Sequence, residues 1–224
     1  MSNFMRVKIC CISSVEEAML AVKYGASAIG LVSRMPSGPG VIEEELIAKI
    51  VSKVPPAIAT FLLTSKQTAG EIVTQQLKTR VSTIQLVDYV PYEELQKLRK
   101  QLPGIKLVQV IHVIGEQSIE EAVDVQEYVD ALLLDSGNPN LTVKELGGTG
   151  RTHNWEISRK IKEQVKVPVF LAGGLNPEKV IKSIRIVQPY ALDVCSGVRT
   201  NDLLDEEKLK LFFHRVNGSN FNLI

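Results

Sequence analysis

Short apolar segments alternate with longer amphipathic ones along the whole chain, and this alternation constrains the fold most. Eight of the short segments are predicted strands, at 7–12, 27–33, 57–63, 82–87, 105–113, 129–135, 167–172 and 190–196. Most are apolar at successive positions, as expected of parallel strands that are buried on both faces. The pattern therefore predicts a parallel α/β sheet covered by helices.

A helical pattern follows each predicted strand, with apolar residues three and four positions apart. These helices are predicted at 14–25, 43–54, 69–80, 92–102, 118–129, 154–165, 176–187 and 205–216. The first begins with a capping box, Ser14 with Glu17, and Gly25 ends it. Another start is predicted at Asn176 and Pro177, because proline in a first turn loses no hydrogen bond.

The number of units points to a closed sheet. Eight strand–helix units in 224 residues average 224/8 = 28 residues each, about the length that a strand, a crossover helix and short loops require. Such units close into a (β/α)8 TIM barrel, with a doubly wound open sheet as the alternative. No linker appears, so we predict a single compact domain over 1–216 and a C-terminal tail over 217–224.

Charge and composition exclude several classes of function. The net charge of +1 gives no basic surface for nucleic acid or for a membrane. No apolar run approaches the roughly 18 residues of a membrane span, and the N-terminal segment lacks a signal-peptide pattern. The three cysteines lack metal-ligand spacing and predict no disulfide framework. We therefore expect a cytoplasmic protein that binds no metal.

Small residues follow the seventh and eighth predicted strands, where active sites of such barrels lie. They are Gly173 and Gly174 in "LAGGLNP" and Ser196 and Gly197 in "DVCSGV". Glycines allow a ligand to approach the backbone, and exposed N–H groups at helix starts attract anions. These loops predict a phosphate site; two ordinary turns are the alternative.

A third glycine cluster, "LGGTGRT", follows the sixth strand and contains Gly147, Gly148 and Gly150. Its backbone amides could surround the same phosphate, so three loops would converge on one anion. A flexible lid without phosphate contact is the alternative.

Two residues are candidates for acid–base chemistry. Asp135 is predicted to end the sixth strand, where burial would raise its pKa and suit a general acid; a loop cap is the alternative. In "KICC", strand alternation places Lys8 and Cys10 on one face and Cys11 on the other. Cys10 is a candidate base or nucleophile if its thiolate is stabilised, although buried cysteines are commonly inert.

The histidines form no metal-binding set in the sequence. His214 lies in the last helix and is predicted to be exposed. His112 ends the fifth strand and is predicted to fill the barrel mouth. His153 flanks the third glycine cluster and is predicted to face the pocket.

Taken together, these motifs resemble the phosphoribosylanthranilate isomerase family of tryptophan biosynthesis, as a divergent member. The family's K-I/V-C-G-I/L-T motif is "KICCIS" here, and its "LLLD" and "GGTG" motifs occur within "LLLDSGNPNLTVKELGGTGRTHNW". The family's "LAGGLNPENV" and "DVSSGVE" correspond to "LAGGLNPEKV" and "DVCSGVR". The resemblance covers about residues 6–215.

The resemblance implies an enzyme that performs an Amadori rearrangement, an aldose-to-ketose isomerisation of an N-(5-phosphoribosyl) aromatic amine. It assigns Asp135 as the general acid that opens the furanose ring to a Schiff base, and Cys10 as the base that takes the C2 proton. The substrate amine serves as electron sink, so no cofactor is implied. The expected partner is the small phosphosugar substrate, and the chain is expected to be a monomer or a homodimer.

The chain departs from the family where the aromatic carboxylate would bind. The family segment "FYPKSPRYV", whose arginine pairs with that carboxylate, is "SRMPSGPGVI" here, with Gly40 at the place of the arginine. Arg34 lies nearby in the sequence and is the candidate substitute, because few residue types other than arginine pair with a carboxylate through two parallel hydrogen bonds. The family's "QLHG" is "QLVD", so Asp88 would repel a carboxylate.

Three functions therefore stay open from the sequence. A true isomerase is favoured over a related phosphosugar isomerase with a different amine or sugar. A non-catalytic phosphosugar-binding barrel is the third, but retention of both acid–base candidates argues against it. Lys8, His153 and Asp193 are further candidates for substrate contact.

Overall fold

The computed structural model describes residues 5–148 and 150–218. Eight parallel strands close into a barrel in chain order, and β8 pairs with β1. They are β1 (Arg6–Ile9), β2 (Ala28–Val32), β3 (Ala59–Thr64), β4 (Thr83–Leu86), β5 (Lys106–His112), β6 (Ala131–Asp135), β7 (Val169–Leu171) and β8 (Ala191–Val194). The predicted barrel is confirmed, and the open-sheet alternative is wrong.

Helices cover the outside of the barrel. They are α1 (Val15–Tyr24), α2 (Glu44–Val51), α3 (Ala69–Thr79), α4 (Tyr92–Gln101), α5 (Gln117–Val125), α6 (Trp155–Gln164), α7 (Val180–Val187) and α8 (Glu206–Gly218). Two short strands, β9 (Arg199–Thr200) and β10 (Leu203–Leu204), form an antiparallel pair before α8. Helix α8 runs two residues past the predicted domain end at 216, and residues 219–224 of the predicted tail lie outside the described residues.

Local signals explain where some of these helices begin. The Ser14 hydroxyl accepts a hydrogen bond from the Glu17 backbone at 3.1 Å, and Gly25 ends α1 with a φ of 104°. Helix α7 starts later than predicted, at Val180, because residues 176–179 form a separate turn. The Asn176 side chain caps that turn by accepting from the Lys179 N–H at 2.9 Å.

Alternation along the strands divides the buried residues into two cores. One set of aliphatic side chains packs between the barrel and the helices. The other set fills the barrel interior and includes Phe61, Val108 and Leu133. Polar side chains interrupt this interior, among them Lys8 and Gln85, which are almost completely buried. Because burying polar groups is costly, their concentration inside the barrel marks a functional region.

Two further observations concern possible ligands and surroundings. Across the described residues, no helix combines the length and apolar character needed to cross a membrane. Within 5–148 and 150–218, no group of His, Cys, Asp and Glu side chains is arranged to hold a metal ion.

Candidate active site

A cavity at the carboxyl ends of the strands brings most of the predicted site residues together. Its lining includes Cys10, Asp135, Gly147, Gly148, Gly150, Gly173, Gly174, Asp193 and Ser196. Strands β7 and β8 lie between β6 and β1 in the closed barrel, so their loops separate Asp135 from Cys10. The opposite wall is apolar and includes Val32, Met35 and Leu63.

Asp135 is the last residue of β6, and its side chain is 7% exposed at the base of the cavity. Burial raises the pKa of its carboxyl, although the Ser136 N–H and the positive charge of Lys8 oppose that shift. The Ser136 N–H donates to Asp135 Oδ1 at 2.7 Å and fixes the carboxyl orientation. Gly147 packs directly over the other oxygen, since an added Cβ would lie 2.7 Å from Asp135 Oδ2.

Cys10 lies just past the end of β1, with its backbone N–H bonded to the Val194 carbonyl at 2.8 Å. Lys8 Nζ lies 3.4 Å from Cys10 Sγ. A hydrogen bond with the Cys11 thiol, helped by Lys8, outweighs burial and lowers the pKa of the Cys10 thiol. A buried thiol with a lowered pKa can act as a base.

Lys8 and Asp193 form a buried ion pair beneath the cavity. Lys8 Nζ lies 2.9 Å from Asp193 Oδ1, and both side chains are nearly inaccessible. Burial opposes the charge on Lys8, but Asp193 and Cys10 outweigh it and raise the pKa of the ammonium group. Gly30 makes room for this arrangement, because a Cβ there would meet Cys10 Sγ at 2.8 Å. Lys8 is therefore held as a permanent cation beside the thiol.

Three glycine-containing loops meet on one side of the cavity, as the sequence predicts. Gly148, Gly173 and Gly174 all have positive φ values, of 69°, 79° and 61°. A Cβ at Gly174 would come within 2.7 Å of the Arg151 backbone, so the loops after β6 and β7 touch. Ser196 opens a single 3-10 turn after β8, next to these loops. Backbone N–H groups in loops of this kind suit an anion.

Comparison with known proteins agrees with this geometry. A family model described as N-(5'phosphoribosyl)anthranilate (PRA) isomerase matches residues 7–215. N-(5'-phosphoribosyl)anthranilate isomerase 2 of Methanosarcina mazei is 40% identical over 221 residues, covering 98% of this chain and 97% of that protein. The corresponding isomerase of Methanocella arvoryzae is 38% identical over 193 residues, 86% of this chain and 88% of its own. The chain belongs to this isomerase family.

Solved structures of the family share the fold over nearly the full length. Phosphoribosyl anthranilate isomerase from Thermotoga maritima superposes with a TM-score of 0.83 at 29% identity, covering 96% of this chain and 99% of that one. Another structure, with a TM-score of 0.80 at 27% identity and the same coverage, holds reduced 1-(o-carboxyphenylamino)-1-deoxyribulose 5-phosphate. The family resemblance predicted from the sequence motifs is confirmed, and the chain is an enzyme of isomerase type.

Several predicted residues lie outside the cavity lining. Arg34 lines a separate groove with Lys66 and Glu71. Asp88 does not stand alone at the mouth, because Lys144 Nζ lies 2.6 Å from its Oδ2 and neutralises it. The repulsion expected from the sequence is therefore offset by a residue 56 positions away.

His153, Gly197 and Cys11 also differ from their predicted settings. His153 packs behind Gly173 and bonds to the Ser158 hydroxyl at 2.6 Å, so it does not face the cavity. Gly197 packs against the Leu175 carbonyl and supports the loop after β7. Cys11 does not point outward, because β1 ends at Ile9 and Cys11 adopts a left-handed φ of 61°.

Sequence reasoning missed two features of the site. Gln85 projects into the cavity from β4 and is 3% exposed, and its Oε1 has no hydrogen-bond partner among the described residues. Gln85 stands directly before "LVD", where the chain departs from the family motif "QLHG". This position is the signal that could have identified it. Cys195 also lines the cavity, with its Sγ 2.8 Å from Cys11 Sγ. Nothing in the local sequence shows that contact.

We expect Gly197→Ala to lower both stability and phosphate affinity. An added Cβ would collide with the Leu175 carbonyl and lie 2.9 Å from the Asn176 Cα, so two loops must separate. Overpacking of this kind costs about 1–3 kcal/mol. Thermal unfolding with and without inorganic phosphate measures both effects. Gly70→Ala is the matched control, because no atom lies near its Cβ position; equal behaviour of the two variants would contradict the prediction.

We expect His153 to make the fold sensitive to acid. Burial lowers its pKa from 6.5 to about 4, so the folded chain holds it neutral. The stability it contributes is complete above about pH 6.5 and is lost as the pH falls towards 4. The loss is on the order of 2–3 kcal/mol. His153→Gln should weaken this pH dependence of the free energy of unfolding in urea, whereas His214→Gln, at an exposed position, should not. Parallel curves for wild type and His153→Gln would contradict it.

Proposed function

We propose that the chain converts N-(5'-phosphoribosyl)anthranilate to the corresponding 1-deoxyribulose by a cofactor-free Amadori rearrangement. The observation that carries this proposal is the joint placement of Asp135 and Cys10 in one cavity, separated by the glycine loops. The names of relatives matching up to 98% of the chain support the substrate.

The phosphate binds the loops after β6, β7 and β8 in this proposal. Gly148, Gly174 and Ser196 line that side of the cavity. Both glycines have positive φ values and carry no side chain that would keep a ligand from the backbone. The aromatic ring then lies against the apolar wall of Met35 and Leu63. This orientation stretches the ribose between the acid and the base.

Asp135 is the general acid. Burial raises the pKa of its carboxyl and so favours the protonated form that can donate. It gives its proton to the furanose ring oxygen, the C1–O bond breaks, and the amine nitrogen supplies electrons to form a Schiff base. The carboxylate left behind keeps the hydrogen bond from the Ser136 N–H.

Cys10 is the general base. Its thiolate removes the proton from C2, and the electrons of that C–H bond move to the iminium nitrogen to give an enolamine. The buried ammonium of Lys8, 3.4 Å from the sulfur, stabilises the thiolate before that step. Asp193 holds Lys8 in place at 2.9 Å. Lys8 and Asp193 are therefore positioning residues in this mechanism.

The carboxylate end of the substrate meets an altered wall. Gly40 packs against Cys11 with no space for a side chain, and Arg34 lines another groove. Lys144 stands on the rim, where its backbone carbonyl accepts a hydrogen bond from Ser37 of the cavity wall. Lys144 supplies a positive charge at this rim, paired with Asp88.

Gln85 binds a ribose hydroxyl in this proposal, because its buried Oε1 needs a donor. We expect Gln85→Leu to raise KM about tenfold, which corresponds to one lost hydrogen bond, without lowering Tm. Gln109→Leu is the control, because Gln109 lies outside the cavity lining and its amide nitrogen donates to the Leu86 and Asp88 carbonyls. That variant should lose stability and keep its KM. An unchanged KM in Gln85→Leu together with a raised KM in Gln109→Leu would contradict the proposed contact between Gln85 and the ribose.

The decisive experiment follows the fluorescence of phosphoribosylanthranilate with purified protein. Rapid, saturable loss of fluorescence is expected. N-phosphoribosylaniline, which lacks the carboxylate, serves as the comparison substrate. Turnover of N-phosphoribosylaniline but not of phosphoribosylanthranilate would show that the altered wall has changed which amine the enzyme accepts. Turnover of neither compound would contradict the proposal.

We propose the cytoplasm as its location, since all three cysteines are free thiols, as in a reducing compartment. The oligomeric state stays a prediction of monomer or homodimer.

A further inference from the structure

All three cysteines of the chain converge at the mouth of the barrel. Cys10 and Cys11 follow β1, and Cys195 follows β8, the neighbouring strand. The sulfur atoms of Cys11 and Cys195 lie 2.8 Å apart although the residues are 184 positions apart in sequence. The isomerisation uses Cys10 alone, so the other two thiols require a separate explanation.

We propose that Cys11 and Cys195 form a modification site, at which a peroxide converts the two thiols into a reversible disulfide bond that lowers isomerase activity.

The backbone places the two residues correctly for a disulfide. Ile9 on β1 and Val194 on β8 are direct partners. Cys11 follows Ile9 by two residues, and Cys195 follows Val194 by one. Neighbouring strands lie about 4.8 Å apart, and the one-residue offset between the cysteines adds roughly 3.3 Å along the strand, so their diagonal Cα separation still falls within the roughly 4.4–6.8 Å that disulfides require. The sulfurs must approach by less than about 1 Å to reach bonding distance.

The backbone of Cys11 is also held in place from both sides. The Arg199 guanidinium donates to the Cys11 carbonyl and, at 3.3 Å, to the Cys10 carbonyl. Gly40 packs against the Cys11 Cβ on the other side. The pair therefore needs no loop rearrangement to join.

A small oxidant can reach the pair through the cavity. Both cysteines line it, and Cys195 is the more exposed of the two. Hydrogen bonds with the Cys10 and Cys195 thiols, together with burial, raise the pKa of Cys11. Cys195 is therefore the thiol that reacts first, and Cys11 is the one that resolves the product.

The chemistry balances with hydrogen peroxide as the oxidant. The Cys195 sulfur attacks one peroxide oxygen, the S–O bond forms, the O–O bond breaks, and one water leaves. The Cys11 sulfur then attacks the Cys195 sulfenic acid, the S–S bond forms, the S–O bond breaks, and a second water carries away the Cys11 proton. One peroxide gains two electrons, and two thiols lose them. A dithiol reductant reverses the change.

Oxidation would act on the reaction through Cys10. The Cys11 thiol is a hydrogen-bond partner that favours the Cys10 thiolate. A disulfide removes the proton of that donor. It also ties Cys195, the residue directly before Ser196 of the phosphate loop, to β1. Both changes reduce turnover without removing Cys10.

The test treats the intact protein with one equivalent of hydrogen peroxide. We expect the intact mass to fall by two hydrogens and a tryptic digest to join the peptides containing Cys11 and Cys195. Turnover should fall about tenfold, as expected when a charged group loses a hydrogen-bond donor, and dithiothreitol should restore it. The mass readout does not depend on the proposed isomerase function, so the two can fail separately.

Three variants make the result specific. Cys10→Ser should still form the cross-link, which shows that the catalytic candidate is not a partner. Cys11→Ala and Cys195→Ala should form none. Three outcomes would each overturn the proposal. The first is addition of oxygen without a cross-link, and the second is a cross-link that includes Cys10. The third is reversible inactivation of Cys195→Ala to the same extent as wild type.

Discussion

Asp135→Asn is expected to lower kcat for phosphoribosylanthranilate by about 10³-fold while leaving the fold intact. The amide has the shape of the carboxyl group but cannot donate a proton to the ring oxygen, and general acids contribute roughly 10²–10⁴-fold. The loss should appear mainly in kcat, because the proposed mechanism has Asp135 act in the transition state rather than in phosphate binding. Stopped-flow fluorescence of wild type and variant measures it.

Stability provides the control for this variant. Burial raises the pKa of Asp135, so folding favours its neutral form and the charged form costs stability near neutral pH. Asparagine is always neutral and its Oδ1 still accepts from the Ser136 N–H. The Tm of Asp135→Asn at neutral pH should therefore equal or exceed that of wild type. Near wild-type turnover, or a strongly lowered Tm, would contradict the assignment of Asp135 as a buried general acid.

Much of the fold could be predicted because strand and helix patterns have different periods. All eight barrel strands and all eight α-helices lie within the predicted segments or within two residues of them, whereas the short pair of β9 and β10 was not predicted. The errors lie at the ends of segments, where the conformation of a single residue decides where a strand or helix begins or ends. Strand β1 ends at Ile9, three residues early, because Cys11 takes a left-handed conformation. Helix α7 begins late because Asn176 caps its own turn first.

The site was predictable where its function depends on backbone or on strand ends. Gly148, Gly174 and Asp135 follow from barrel geometry, since strand ends and their loops meet at one face. Contacts between distant side chains could not be predicted. Two examples are the ion pair between Lys144 and Asp88 and the contact between Cys11 and Cys195. Both depend on how loops that follow different strands pack over the barrel.

Cys10→Ser is expected to reduce kcat by several powers of ten, by a different route from Asp135→Asn. A serine hydroxyl is a far weaker acid than a thiol, so the nearby ammonium of Lys8 cannot ionise it near neutral pH. Ring opening by Asp135 remains possible, but the C2 proton stays in place. Incubation of the substrate in deuterated water separates the steps: wild type should lose the C2 proton of the substrate to the solvent, and the variant should leave it in place.

Phosphate binding distinguishes a chemical defect from a structural one in this variant. The oxygen of serine is smaller than sulfur and fits beside Gly30, where even a Cβ would crowd Cys10 Sγ. Inorganic phosphate should therefore raise the Tm of Cys10→Ser and of wild type equally, because the loops after β6, β7 and β8 are the same in both. Lost phosphate stabilisation would point to collapse of the barrel mouth. Retained C2 exchange would assign the base to another residue. Loss of exchange with retained phosphate binding leaves Cys10 as the group that takes the proton, with Lys8 and Asp193 beneath it to keep the sulfur charged.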